Sequence, residues 1–199
     1  MTQRLIVVCG LPLTGKSTVA QGLSSQLGIH HVDIDAQVRF PLLGPPDPNP
    51  YRSPEAEALS RKEMGECYDL LIHAARSNLA LGRSVIITAT FSSLRSRENL
   101  TRILQEYPSV DLRIVVCGTD RENVERDEIE RRLAARAFGK DYFGGCNSVE
   151  HYLADKKRYA PWTDDLPHLA LDTFAPCTIY HCVIQAHVYI LQEDYIGSF

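Results

Sequence analysis

Short apolar runs alternate along this chain with longer stretches in which apolar residues recur every three or four positions. Leu5-Ile6-Val7-Val8-Cys9 is apolar and partly β-branched, as expected of a strand covered on both faces. Behind it, Val19, Ala20, Leu23 and Leu27 fall at helical spacing, and Gly28 is a fitting stop. The pattern predicts a strand at 4–9, a helix at 16–27 and a short strand at His30-His31-Val32-Asp33. Leu59, Met64, Cys67, Leu70, Leu71, Ala74 and Ala75 mark a long helix over about 54–81, ended by Gly82. Ser84 to Thr90 reads as a buried strand. A helix carrying Leu100, Ile103 and Leu104 follows and ends before Pro108. Leu112 to Cys117 is the next strand, and His168 to Asp172 the last. Between them lie a highly charged helix at 121–137 and a short one with Tyr152, Leu153 and Lys156. Ile179, Val183, Ala186 and Ile190 predict a final helix within 175–192 that packs on the sheet.

This alternation argues for an α/β fold with a mostly parallel sheet in one domain, 1–199. Two segments break the pattern. Pro41 to Pro54 is so rich in proline that helix and central strand are both disfavoured, which leaves a long surface loop. Gly139 to Asn147 is glycine-rich and is expected to be mobile.

The chemistry concentrates in Gly10-Leu11-Pro12-Leu13-Thr14-Gly15-Lys16-Ser17, between the first strand and the first helix. It fits the phosphate-binding pattern G-x-x-x-x-G-K-[ST]. Two glycines let the backbone curl around a ligand, and successive N–H groups, those of Leu13, Thr14, Gly15 and on to Thr18, face the concavity. The helix that follows adds its positive end. Such a loop places Lys16 at the β- and γ-phosphates of a nucleotide and Ser17 at Mg²⁺. A mere strand-to-helix turn has no use for that lysine and hydroxyl together. Two acids, Asp33 and Asp35, stand two residues apart at the carboxyl end of the second strand, where ligands of α/β sheets bind.

Composition narrows the setting. Of 199 residues, 44% are hydrophobic and 23% charged, ordinary for a globular protein. A net charge of −4 supplies no general attraction to nucleic acid or anionic membrane. No apolar run is long enough to span a bilayer, and no signal-peptide pattern precedes the first strand. The six cysteines form no C-x-x-C pair, which fits reduced thiols and a cytoplasmic location. The seven histidines lack metal-ligand spacing.

The first forty residues resemble shikimate and gluconate kinases: Gly10-Leu11…Gly15-Lys16-Ser17-Thr18, then Leu27-Gly28, then Asp33-x-Asp35. The later order of features is similar to the ATP-binding kinase domains of zeta toxins and polynucleotide kinases. Those features are Val85 to Phe91, Arg97, Arg132-x-x-x-Arg136 and the His168-Leu169-x-Leu171-Asp172-Thr173 ending. The resemblance implies a three-layer P-loop kinase fold with a five-stranded parallel sheet of order 2-3-1-4-5. It also implies a substrate-side loop and helix at about 40–81 and a mobile lid at about 136–158. It implies ATP and Mg²⁺ as cofactors and an acceptor hydroxyl on a small molecule or nucleotide. By the same resemblance Asp33 holds Mg²⁺ and Asp35 orients the acceptor. Arg132 and Arg136 clamp phosphates, Arg126 packs near adenine, and the loop after Thr173 lines that base. Arg39, Thr90, Arg95 and Arg97 become the acceptor-side candidates.

Two departures stand out. Thr88 occupies the end of the third strand, where many relatives carry an acid. Ala89-Thr90-Phe91-Ser92-Ser93 replaces the glycine-rich turn of shikimate kinases, which argues against shikimate as acceptor. Two alternatives compete with a small-molecule kinase. A 5′-polynucleotide kinase has the negative net charge against it. A catalytically silent ATP-binding module is motivated by Thr88. A GTPase is disfavoured because no [NT]-K-x-D motif is present. The sequence identifies neither the acceptor nor the oligomeric state.

Overall fold

A computed structural model describes residues 2–44, 53–137, 146–162, 166–174 and 176–192. Its centre is β1 (Arg4–Cys9), which pairs in parallel with β3 (Val85–Thr88) on one side and β4 (Asp111–Gly118) on the other. β2 (His30–Asp33) extends the sheet beyond β3, and β5 (His168–Asp172) extends it beyond β4. The order is β2-β3-β1-β4-β5 with every pairing parallel, as the resemblance implies.

Strand alternation sorts the side chains of β1 into two layers. Leu5, Val7 and Cys9 face the cluster built on α3 (Pro54–Ala80) and α4 (Leu94–Glu106). Ile6 and Val8 face α1 (Lys16–Leu27) and α7 (Ile179–Leu191). All five are fully buried, so the strand carries almost nothing but apolar residues. α1 and α7 cross closely because Gly22 has no side chain: a Cβ there would lie 2.6 Å from Val183 Cγ2. A third cluster joins Leu11, Leu13 and Phe174 to Ile129 of α5 (Glu122–Ala137) and Val149 and Tyr152 of α6 (Val149–Arg158). Among the described residues no helix is long and apolar enough to cross a membrane.

Capping explains most helix starts. Ser53, Ser93, Ser148 and Thr178 each accept an N–H three residues on. Gly28, at φ +65°, closes α1 in the left-handed region. The structure corrects one expectation. The chain stays helical beyond Asp33, through a π-helical segment Ile34–Arg39 into α2 (Phe40–Leu43), so the proline-rich loop does not begin at Pro41. Pro41 sits in the first turn of α2, directly after the π-helical segment. Most of the remaining loop, 45–52, lies outside the described residues. The third strand is also shorter than expected, since Ala89 and Thr90 leave the sheet.

The anticipated lid divides. Residues 138–145 lie outside the described residues, as does the side chain of Arg136. α6 packs on α5: Tyr152 donates its hydroxyl to Glu125 Oε1 at 2.5 Å, and Lys156 pairs with the other carboxylate oxygen. Among the described residues no disulfide joins the six cysteines. Burial pushes Cys9 well up and Cys117 to about 12, so both act as small apolar core residues.

Candidate active site

The loop from Gly10 to Gly15 curls because three residues adopt positive φ. Gly10 (+133°) and Gly15 (+87°) do so freely, and Gly10 must be glycine, since a Cβ would fall 2.1 Å from Cys117 O. Leu13 (+67°) does so against its preference. Two contacts hold it there: its side chain is buried in the third cluster, and its carbonyl accepts Arg132 Nη1 at 2.6 Å. Inside the curl Leu11 O accepts both Thr14 Oγ1 at 2.8 Å and Lys16 Nζ at 2.9 Å. Val19 N donates to Gly15 O at 3.0 Å as α1 begins.

Beside the loop Ser17 donates its hydroxyl to Asp33 Oδ2 at 2.7 Å. Asp33 is buried at 7% exposure, and its other oxygen accepts the N–H groups of Asp35 and Ala36 at 2.9 and 3.0 Å. One carboxylate thus caps the π-helical segment and receives the loop hydroxyl. Thr88, the register partner of Asp33, bonds His31 Nε2 at 2.6 Å. Burial lowers the pKa of His31 from its ordinary value, with Asp33 opposing.

The acceptor-side candidates scatter. Asp35 is half-buried, and its charge bears on Cys67 and Tyr68 of α3. Arg39, one turn on, is buried and lies 3.9 Å from Glu63 of the same helix. Thr90 Oγ1 is 3.0 Å from Tyr68 Oη. These gather where α3 meets the π-helical segment. Arg95 is exposed in the first turn of α4. Arg97 turns inward: its fork donates to Phe91 O at 2.9 Å, to Pro161 O at 2.7 Å and to Ala160 O, and its guanidinium lies 4.0 Å over Trp162. Those donors are engaged in holding two segments of backbone together.

On the other side of the loop an open cleft of about 410 Å³ is lined by Leu13, Thr18, Glu128, Arg132, Thr173 and Cys177, among others. Arg132 ties its walls. Besides Leu13 O it donates to Thr173 O at 2.5 Å and to Glu128 at 2.8 Å, and it stacks 4.5 Å from the Phe174 ring centre. Arg131 and Arg132 together hold the Glu128 carboxyl down to about 2. Thr173 is buried, with its N–H on Gly118 O. Arg126 is exposed and paired with Glu130 at 3.3 Å, and it is not among the residues that line this cleft.

Sequence reasoning missed Tyr68, His31, Glu128 and Cys177. Only Glu128 carried a signal, its i,i+4 spacing to Arg132.

A phosphate loop between β1 and α1 now stands on a five-stranded parallel sheet, and residues 5–143 match the family model described as AAA domain, AAA_33. The chain belongs to the AAA_33 family. This AAA_33 chain shares the P-loop kinase fold with several solved structures. A Chloroflexus aurantiacus J-10-fl protein provisionally assigned as a kinase is 25% identical, with a TM-score of 0.71 over 96% of this chain and all of that one. The gluconokinase of Sinorhizobium meliloti 1021 is 15% identical, with a TM-score of 0.59 over 95% of this chain and 92% of its own. The APS kinase CysC of Mycobacterium tuberculosis, solved with AMPPNP and APS, is 21% identical, with a TM-score of 0.58 over 96% and 100%. No curated protein matches the AAA_33 chain.

Proposed function

We propose that the chain is an ATP-dependent phosphotransferase that moves the γ-phosphate to a hydroxyl of a small molecule or nucleotide. The observation that carries this reading is the adjacency of three groups. Lys16 and Ser17 stand in an amide cradle, Asp33 pairs with Ser17, and Asp35 follows Asp33 on the side that faces α3. Phosphoryl transfer needs alignment and charge neutralisation rather than covalent chemistry, and this arrangement supplies both.

In this reading the loop N–H groups bind the β- and γ-phosphates, and Lys16 turns its ammonium to them from Leu11 O. The exposed Ser17 hydroxyl with the buried Asp33 carboxylate behind it is an all-oxygen donor pair, which suits Mg²⁺. Bound there, Mg²⁺ would neutralise phosphate charge. Asp35 orients the acceptor hydroxyl and takes its proton, with Arg39 and Thr90 on the same side. The cleft beside Arg132 takes the base, with Thr173 and Cys177 along its edge. Arg132 then joins base cleft to phosphate loop rather than reaching across the phosphates.

The test is ADP release across a panel of hydroxyl acceptors. Lys16→Ala should abolish turnover. Asp35→Ala should abolish transfer while ATP still binds in calorimetry. Full-rate transfer by Asp35→Ala would remove its assigned role. ATP binding with no turnover for any acceptor would favour the silent module that Thr88 suggests.

A further inference from the structure

Phe91 is a second non-glycine residue in the left-handed region, at φ +47°. An aromatic residue rarely adopts that conformation, and where one does its surroundings must impose it. Here two side chains from different helices grip its peptide groups. Its N–H donates to Tyr68 Oη of α3 at 2.8 Å, and its carbonyl accepts Arg97 Nε of α4 at 2.9 Å. The same Tyr68 hydroxyl shares a hydrogen bond with Thr90 Oγ1, 3.0 Å away. The two rings meet edge to face, 5.4 Å apart. One carbonyl earlier, Thr90 O accepts the N–H of Gly10 at 3.4 Å. Gly10 is the first glycine of the phosphate loop. A continuous path therefore runs from α3, through one phenol and one strained peptide, to that loop.

We propose that Tyr68 is a positioning residue that sets the phosphate loop from the acceptor-side helix, acting through Thr90 and Phe91 on Gly10. The proposal rests on the reading that this loop grips a nucleotide. Tyr68 stands between two parts of the site. The Asp35 charge bears on it, and its hydroxyl holds Phe91 and Thr90, whose carbonyl accepts the Gly10 N–H. Burial lifts its pKa to about 12, so the hydroxyl stays protonated well above neutral pH. Any shift of α3 when an acceptor is seated is passed to the loop. By linkage, occupation of the loop is passed back to Phe91.

The test uses the full chain, ADP as probe and amide hydrogen exchange followed by NMR. In the wild type, ADP should slow exchange at the Phe91 amide as well as in the loop. Tyr68→Phe keeps the ring contact and loses the hydroxyl. It should weaken ADP binding about tenfold and speed exchange at both Phe91 and Gly10. A Tyr68 with a merely structural role would free the Phe91 amide and lower the melting temperature, with Gly10 exchange and ADP affinity unchanged; that result overturns the proposal. If Tyr68→Phe does not fold, the wild-type experiment decides, and no ADP effect at Phe91 overturns it. If the wild type takes up no ADP, the nucleotide reading falls by itself, and Gly10 exchange in Tyr68→Phe still decides this one.

Discussion

Ser17 and Asp33 are joined by a 2.7 Å hydrogen bond that links the first turn of α1 to the end of β2. The same carboxylate caps the segment that carries Asp35, so its two duties can be separated. Asp33→Asn keeps a capping oxygen and loses the charge. It should melt near the wild type yet lose about tenfold of the Mg²⁺-dependent gain in ADP affinity, the equivalent of roughly 1.4 kcal/mol. Asp33→Ala loses the cap as well, at about 1 kcal/mol, and should melt about 3 °C lower. Calorimetry with and without Mg²⁺, beside thermal melts, reads both. An unchanged Mg²⁺ response in Asp33→Asn would show that the charge has no part in holding metal.

Gly22 and Gly10 should respond oppositely to repair. Alanine at a helical glycine gains about 1 kcal/mol of propensity, but overpacking costs about 1–3 kcal/mol. Gly22→Ala meets Val183 Cγ2 at 2.6 Å and should lower the melting temperature. On a Val183→Ala background the same change should raise it, because the obstacle is a side chain that has been removed. Gly10→Ala meets the backbone carbonyl of Cys117 at φ +133°, and no single side-chain truncation should rescue it.

Arg132→Lys keeps the charge and loses the fork that reaches Leu13 O, Thr173 O and Glu128 at once. It should weaken ADP binding by about tenfold and destabilise the chain. A loss of turnover with ADP affinity intact would instead support a direct role at the transferring phosphate, as the kinase resemblance implies.

Half-buried His31 and buried Glu128 give the stability a definite pH dependence. The pKa of His31 is lowered from 6.5 by burial, so the unfolded chain takes up that proton first as pH falls. Its contribution is therefore complete above 6.5 and fades as pH falls from there through the lowered folded value. Glu128 is held at about 2 against an ordinary 4.5, so its contribution is complete above 4.5 and fades between 4.5 and 2. Thermal melts of His31→Gln should flatten the upper window, and those of Glu128→Gln the lower. A wild-type slope in either variant would assign that window to other groups.

The fold was legible because local signals agreed with the global one. β1, α1, β2 and β5 run over the expected residues, since apolar runs, glycine stops and the loop motif all pointed the same way. What escaped was orientation. The prolines of 41–54 masked the fact that Pro41 is tolerated in a first helical turn. Arg95 and Arg97 are two residues apart, yet one is exposed and the other turned inward onto Trp162, and nothing in their spacing tells them apart. Tyr68 matters through a hydroxyl that meets backbone 23 residues away, which no helical pattern encodes.

The placement of β1 between β3 and β4 has a consequence for biosynthesis. The nucleotide motif is complete in the chain by residue 17, but Gly10 rests against Cys117, and the flanking strand β4 runs to Gly118. Nascent polypeptide therefore leaves the ribosome with its chemical signature written early and its mechanical support about a hundred residues behind. A fragment ending short of β4 would keep every letter of the motif and lose the wall against which Gly10 rests.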